Sequence, residues 1–154
     1  RTRSQMYKGH SDWSYIAKVK NNQRIVIPIF GNGDIDSAEK ALEYRNKYGV
    51  DGIMIGRAAI GYPWIFEEIK HYFATGQPLP PPTMADRVEA VRNHLLWSVE
   101  WKGERQGVLE MRRHYANYFK VIPNFKPYRQ QLVTLDSVEE ILKVLNFELP
   151  VTNY

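Results

Sequence analysis

Apolar positions along the chain change period near its middle. In the first half, short continuous apolar runs alternate with stretches of helical spacing. Ile25-Val26-Ile27-Pro28-Ile29-Phe30 is apolar at every position and largely β-branched. That predicts a strand buried on both faces, as in a covered parallel sheet. Gly31-Asn32-Gly33-Asp34 ends it. Asp36 then reads as an N-cap, with Glu39 as its capping-box partner. Ala38, Ala41, Leu42 and Arg45 carry a helix to about Tyr48, and Gly49 closes it. Gly52-Ile53-Met54-Ile55 predicts a second short buried strand, broken at Gly56-Arg57. A turn of helix over 58–60 follows, then a helix from Pro63 through Phe73 capped by Gly76. Ahead of the first strand, a loop over 1–9 leads into a short helix over 11–20, with Trp13, Ile16 and Ala17 along one side. Two successive strand–helix units imply parallel strands with right-handed crossovers. Two strands alone do not make a stable parallel sheet, so this half reads as the end of a larger α/β assembly.

The second half is helical throughout. Gln77-Pro78-Leu79-Pro80-Pro81-Pro82-Thr83 holds four prolines in five positions and reads as a stiff extended connector. Beyond it, Val88, Val91, Leu95 and Val99 mark one face of a helix over 84–101. Met111, Tyr115, Tyr118 and Ile122 mark one over 104–122 that Pro123 stops. A short helix is expected over 126–133. A last one has Asp136 as N-cap, Glu139 as box partner, and Val138, Ile141, Leu142 and Leu145 inward. These predict a small antiparallel bundle. The division is thus 1–76 α/β, 77–83 linker and 84–154 all-α.

Composition narrows the class. With 44% hydrophobic and 25% charged residues, the chain reads as globular rather than disordered. No run of eighteen apolar residues exists to span a membrane. There is no cysteine, so a disulfide framework, a thiolate zinc site and a cysteine nucleophile are excluded within these residues. His10, His71, His94 and His114 show no metal-ligand spacing, so no metal site is expected. A net charge of +4 is compatible with an anionic partner. The sequence opens Arg-Thr-Arg, with neither an initiating methionine nor an apolar signal segment. It reads as a piece of a cytoplasmic protein.

Two stretches could carry chemistry. The first is the pair of glycine-rich strand ends, Gly31-Asn32-Gly33-Asp34 and Gly56-Arg57-Ala58-Ala59. Glycine lets a phosphate approach the main chain, amides at a helix start favour an anion, and Arg57 can add a planar contact. In barrels of eight parallel strands, the loops after strands seven and eight form such a phosphate site with a short extra helix. Each loop alone could merely serve a tight turn; the two together favour phosphate. Asp34 could bind a ligand hydroxyl or cap its own turn. The second stretch lies between Glu110 and Asp136, 25 residues without an acid. It carries Arg112, Arg113, His114, Lys120, Lys126 and Arg129, interleaved with Tyr115, Tyr118, Phe119, Phe125 and Tyr128. Arg113, Asn117 and Lys120 share one helix face by spacing. Cations that track phosphates beside rings that stack suit RNA. A solvated face over core aromatics fits the same pattern, and both readings stay open. Arg1, Arg3 and Lys8 form a basic loop. Trp13, Trp64, Trp97 and Trp101 read as core.

The segments RTRSQMYKGHSDW, IPIFGNGDI, DGIMIGRAAIGYPWIF and MRRHYANYFK resemble, in this order, segments of the tRNA-dihydrouridine synthases. The likeness extends over about 1–145. It implies the last strand–helix units of a TIM (β/α)8 barrel followed by a helical domain. It also implies reduction of uridine to dihydrouridine in tRNA by flavin mononucleotide (FMN), recharged by NADPH, with hydride delivered to uracil C6 and a proton to C5. By resemblance, Asn32, Gly33 and Asp34 contact the flavin after strand seven, and Gly56 and Arg57 hold its phosphate after strand eight. Arg1 and Arg3 match a basic loop near the substrate. Arg112, Arg113, His114 and Lys120 match the basic helix that faces tRNA.

The family's proton-donating cysteine, and a flavin-contacting lysine and histidine, fall upstream of this sequence. No catalytic residue is therefore expected within it, and the piece alone is expected to be inactive. Val121 stands where many members have glycine. Two other readings are another FMN- or phosphate-binding barrel oxidoreductase and a non-catalytic RNA-binding module. The first leaves the basic helical tail unexplained, the second the two glycine-rich strand ends. A cut barrel edge would expose strand and apolar surface, so self-association of the isolated piece is expected.

Overall fold

A computed structural model describes residues 6 and 8–148 of the chain, with side chains through 146. Contacts divide it into two units, Arg1–Ala59 with Pro63–Pro80, and Ile60–Tyr62 with Pro81–Tyr154.

In the first unit, the expected parallel pairing is present but short. Strands β1 (Phe30–Asn32) and β2 (Gly52–Met54) run parallel in the register Phe30↔Gly52, Gly31↔Ile53, Asn32↔Met54. Residues 25–29, read from sequence as buried strand, lie outside the ladder, and Val26 is 92% exposed and Ile27 68%. The physical reason is the lack of a further strand or covering layer on that flank among the described residues. One side chain substitutes locally for a strand: Asp51 accepts from the Ile29 N–H at 2.7 Å and from Lys20 Nζ at 2.7 Å. Nor is the second strand fully buried, since Met54 is exposed.

Helix α1 (Ser14–Lys20) begins three residues later than expected. Trp13 just before it is buried and pins the sheet from below. Its indole N–H donates to the Gly33 carbonyl at 2.9 Å, and its ring packs edge-on to Tyr44 with centroids 5.0 Å apart. Helix α2 (Ala38–Tyr48) starts at Ser37, whose hydroxyl accepts from the Lys40 N–H. Asp36 is therefore not the cap. It sits one residue outside and pairs with Lys40 instead. Gly49 and Gly76 close α2 and α3 (Ile65–Thr75) in the left-handed conformation that glycine adopts without strain. A single 3-10 turn, Arg57–Ala59, follows β2.

The second unit is built on α4 (Met84–Lys102) and α5 (Glu104–Tyr118). Thr83 and Asp86 form a full capping box at the start of α4, which the sequence reading missed by placing Thr83 in the linker. At Gly107 a Cβ would lie 2.7 Å from the Val99 backbone, so glycine lets the two helices touch. The inward stripe of α5 is as expected: Met111, Tyr115, Tyr118 and Ile122 are all buried. The helix itself stops at Tyr118, one turn earlier than predicted. There Arg87, 4% exposed, donates to the Tyr118 carbonyl at 3.0 Å. Helices α6 (Lys126–Thr134) and α7 (Val138–Lys143) and a π turn (Val144–Glu148) complete the unit. Ser137, not Asp136, occupies the N-cap position of α7, and Asp136 turns to Arg112. Among the described residues no helix is long and apolar enough to cross a membrane.

Candidate functional site

The two glycine-rich loops meet in one groove of the first unit. Its lining includes Asn32, Gly33, Asp34, Gly56 and Arg57, every cofactor residue expected from sequence, within a volume of about 760 Å3. That is the size of a nucleotide-scale ligand site. The sheet accounts for the convergence. Asn32 and Met54 are the last paired residues of adjacent parallel strands, so the segments that follow leave the same sheet edge side by side.

Local backbone shapes the rim. Asp34 sits at φ +55°, a left-handed conformation that aspartate tolerates better than most side chains. It turns the chain from β1 toward α2 and aims its carboxylate at two donors. Oδ2 accepts from the Ser11 N–H at 2.7 Å and Oδ1 from Arg57 Nη2 at 2.8 Å. Both carboxylate oxygens of Asp34 are therefore engaged inside the protein. Its side chain is only 12% exposed, against 56% for Arg57. A guanidinium is a planar cation of several N–H donors, a type of group that pairs with carboxylates and with phosphates. At Gly56 a Cβ would meet nothing within 4 Å among the described residues, which leaves that wall of the groove bare for close approach to the main chain.

His10, Ser11 and Lys40 also line the groove, which the sequence did not indicate. The Lys40 amine lies 3.2 Å from Asp36. The groove's two lysine and arginine cations thus each face a carboxylate. The groove offers placed donors rather than a strong positive field. Among the described residues no group of three metal-ligating side chains occurs.

The expected RNA face of the second unit is less uniform than its sequence. Arg112 donates to Asp136 at 2.6 Å and to the Leu135 carbonyl at 3.3 Å. Arg113 lies 3.8 Å from Glu110 and donates through Nε to His114 Nε2 at 3.2 Å. The two acids that bound the acid-free interval therefore fold back onto its first two arginines. Asn117 is half-buried, with its Cβ beside Gly61, and Lys120 lies beyond the end of α5, so the expected shared face of Arg113, Asn117 and Lys120 does not form. Lys120, Lys126 and Arg129 are exposed. The interleaved rings are mostly core: Tyr115 and Phe119 are fully buried, and Tyr118 and Phe125 nearly so. The rings that do face solvent are Trp97 and Trp101, two of the four tryptophans read as core.

His114 lies beside His94, centroids 4.9 Å apart and the rings tilted by 49°, and His94 Nδ1 lies 3.1 Å from the Tyr118 hydroxyl. The sequence reading treated the histidines as scattered. Burial first, then the charges of Arg113 and Lys102, holds His94 below its ordinary pKa. Burial, His94 and Arg113 do the same for His114. Arg1 and Arg3, read as a substrate-side loop, lie outside the described residues.

The family model described as dihydrouridine synthase (Dus) matches residues 1–151. A probable tRNA-dihydrouridine synthase 1 from Synechocystis is 41% identical over 91% of this chain and 39% of its own length. The tRNA-dihydrouridine synthase B of Pseudomonas aeruginosa is 40% identical over 90% of this chain and 41% of its own. A probable tRNA-dihydrouridine synthase from Rickettsia bellii is 36% identical over 99% of this chain and 47% of its own. The chain thus spans less than half the length of these curated relatives.

Proposed function

The chain belongs to the dihydrouridine synthase family, and we propose that it forms the C-terminal portion of an FMN-dependent enzyme that reduces uridine in tRNA. On this reading the first unit supplies the last strand–helix units of a TIM barrel and the second a helical RNA-binding domain. The observation that carries it is the meeting of Asn32, Gly33, Asp34, Gly56 and Arg57 in one groove. The apolar flank of β1, with Val26, Ile27 and Phe30 exposed, is where upstream barrel strands would pack.

The groove fits the phosphate end of the cofactor. Arg57 presents a planar cation, Asp34 braces it, and the bare main chain at Gly56 admits a close anion. Bound FMN would supply the hydride for the uracil ring, recharged by NADPH. This chain's residues bind and orient; the proton donor and the flavin-contacting lysine and histidine are assigned to the upstream part. In the second unit Lys120, Lys126 and Arg129 would meet tRNA phosphates. Arg113 and His114 would stand at the margin, and Arg112 would keep the bundle closed rather than bind.

The test is reconstitution. The longer protein that contains this sequence should bind FMN and reduce uridine in unmodified tRNA with NADPH, and residues 1–154 alone should be inactive. Activity of residues 1–154 alone would overturn the assignment of the chemistry to the upstream part.

A further inference from the structure

Within that phosphate reading, on which this inference rests, we propose that Asp34 is a positioning residue for Arg57 rather than a contact to the cofactor. A carboxylate beside a phosphate is electrostatically unfavourable, so its presence needs a reason. The geometry supplies one. Both carboxylate oxygens are engaged by donors from separate segments, Oδ1 by Arg57 Nη2 at 2.8 Å and Oδ2 by the Ser11 N–H at 2.7 Å. Asp34 thereby ties together the segment before α1, the turn after β1 and the 3-10 turn after β2.

The tie lies at the inner side of the groove. Asp34 is nearly buried, whereas Arg57 is more than half exposed. The brace limits the rotamers of a long flexible side chain and so lowers the entropy lost when an anion docks on it. A rigid fork is also what bidentate recognition of a phosphate needs.

Asp34→Asn isolates this role. Asparagine suits the φ of +55° at least as well as aspartate, so the turn is preserved. Its amide, however, has one acceptor oxygen where two donors must be met. Whichever way it flips, an NH2 group faces either Arg57 or the Ser11 N–H.

The experiment measures dissociation constants of FMN and of riboflavin, which lacks the phosphate, on the longer protein. Wild type, Asp34→Asn, Arg57→Ala and the double variant are compared. The inference expects Asp34→Asn to weaken FMN about tenfold or more while leaving riboflavin within about twofold. It expects the double variant to bind FMN no worse than Arg57→Ala, because the part of the brace that bears on the phosphate runs through the arginine. Weakening of both ligands alike would assign Asp34 to ring or ribityl contact, or to structure, and would overturn the inference. So would unchanged or tighter FMN binding. A wild-type protein that binds FMN no better than riboflavin would instead overturn the phosphate reading, and the inference with it.

Discussion

The ring of Trp13 occupies the space a side chain on Gly31 would need: a Cβ there would lie 2.0 Å from the indole. Gly31 is thus a packing requirement of the sheet, not only a turn residue. Gly31→Ala must displace Trp13 from its contacts with Tyr44 and Tyr48 and from its hydrogen bond to Gly33. A loss of about 2–4 kcal/mol in urea unfolding is expected, similar to overpacking plus partial loss of a core aromatic. A change below about 0.5 kcal/mol would mean that Trp13 repacks freely.

The second unit separates structural from binding residues. Tyr115 is fully buried and its hydroxyl has no hydrogen-bond partner among the described residues. Tyr115→Phe should therefore leave stability unchanged or raise it by about 1 kcal/mol, without altering tRNA affinity. Lys120, Lys126 and Arg129 should each lower tRNA affinity when changed to alanine. Each should also reduce the slope of log affinity against log salt by about one. Arg112→Ala should instead cost about 1 kcal/mol of stability through its pair with Asp136. A salt slope altered by Arg112→Ala with stability intact would reverse that assignment.

The histidine pair predicts a pH dependence. His94 and His114 have folded pKa values below the ordinary 6.5. The unfolded chain therefore takes up protons first on acidification. Their contribution is whole above about pH 6.5 and is lost as pH falls from there toward the lowered folded values. The midpoint of thermal unfolding should drop across this window, and the drop should shrink in His114→Gln, which removes one titrating group. An equal drop in the variant would place the titration elsewhere.

The exposed flank of β1 predicts association. Residues 1–154 alone should form oligomers at high concentration, and Val26→Lys with Ile27→Lys should restore monomers in light scattering. A monomeric parent chain at millimolar concentration would contradict this.

These particulars show what local sequence encodes. The parallel pairing, the C-caps at Gly49 and Gly76 and the stripe from Met111 to Ile122 were legible, because each rests on period or on one residue's backbone preference. The glycine loops of the groove were legible for the same reason. Burial of 25–29 was not, because a strand's composition does not say whether a neighbouring strand or layer covers it, and none does among the described residues. Asp36 and Asp136 were read as caps because aspartate favours that position. In both places the serine one residue later takes it and leaves the carboxylate to a distant or neighbouring cation. The pairing within the basic stretch was not legible either: charge counted along the chain is not charge in space, and Glu110 and Asp136 return to its arginines. His10, Ser11 and Lys40 reach the groove through the fold alone, with no spacing to announce them.

The central claim is that the groove between the two glycine-rich turns grips the phosphate of FMN. The most direct measurement is the ratio of FMN to riboflavin affinity in the longer protein, with and without Arg57→Ala. The account predicts a preference for FMN of at least about tenfold that Arg57→Ala largely abolishes. Equal affinity for the two flavins, or a preference that survives the loss of Arg57, would contradict it.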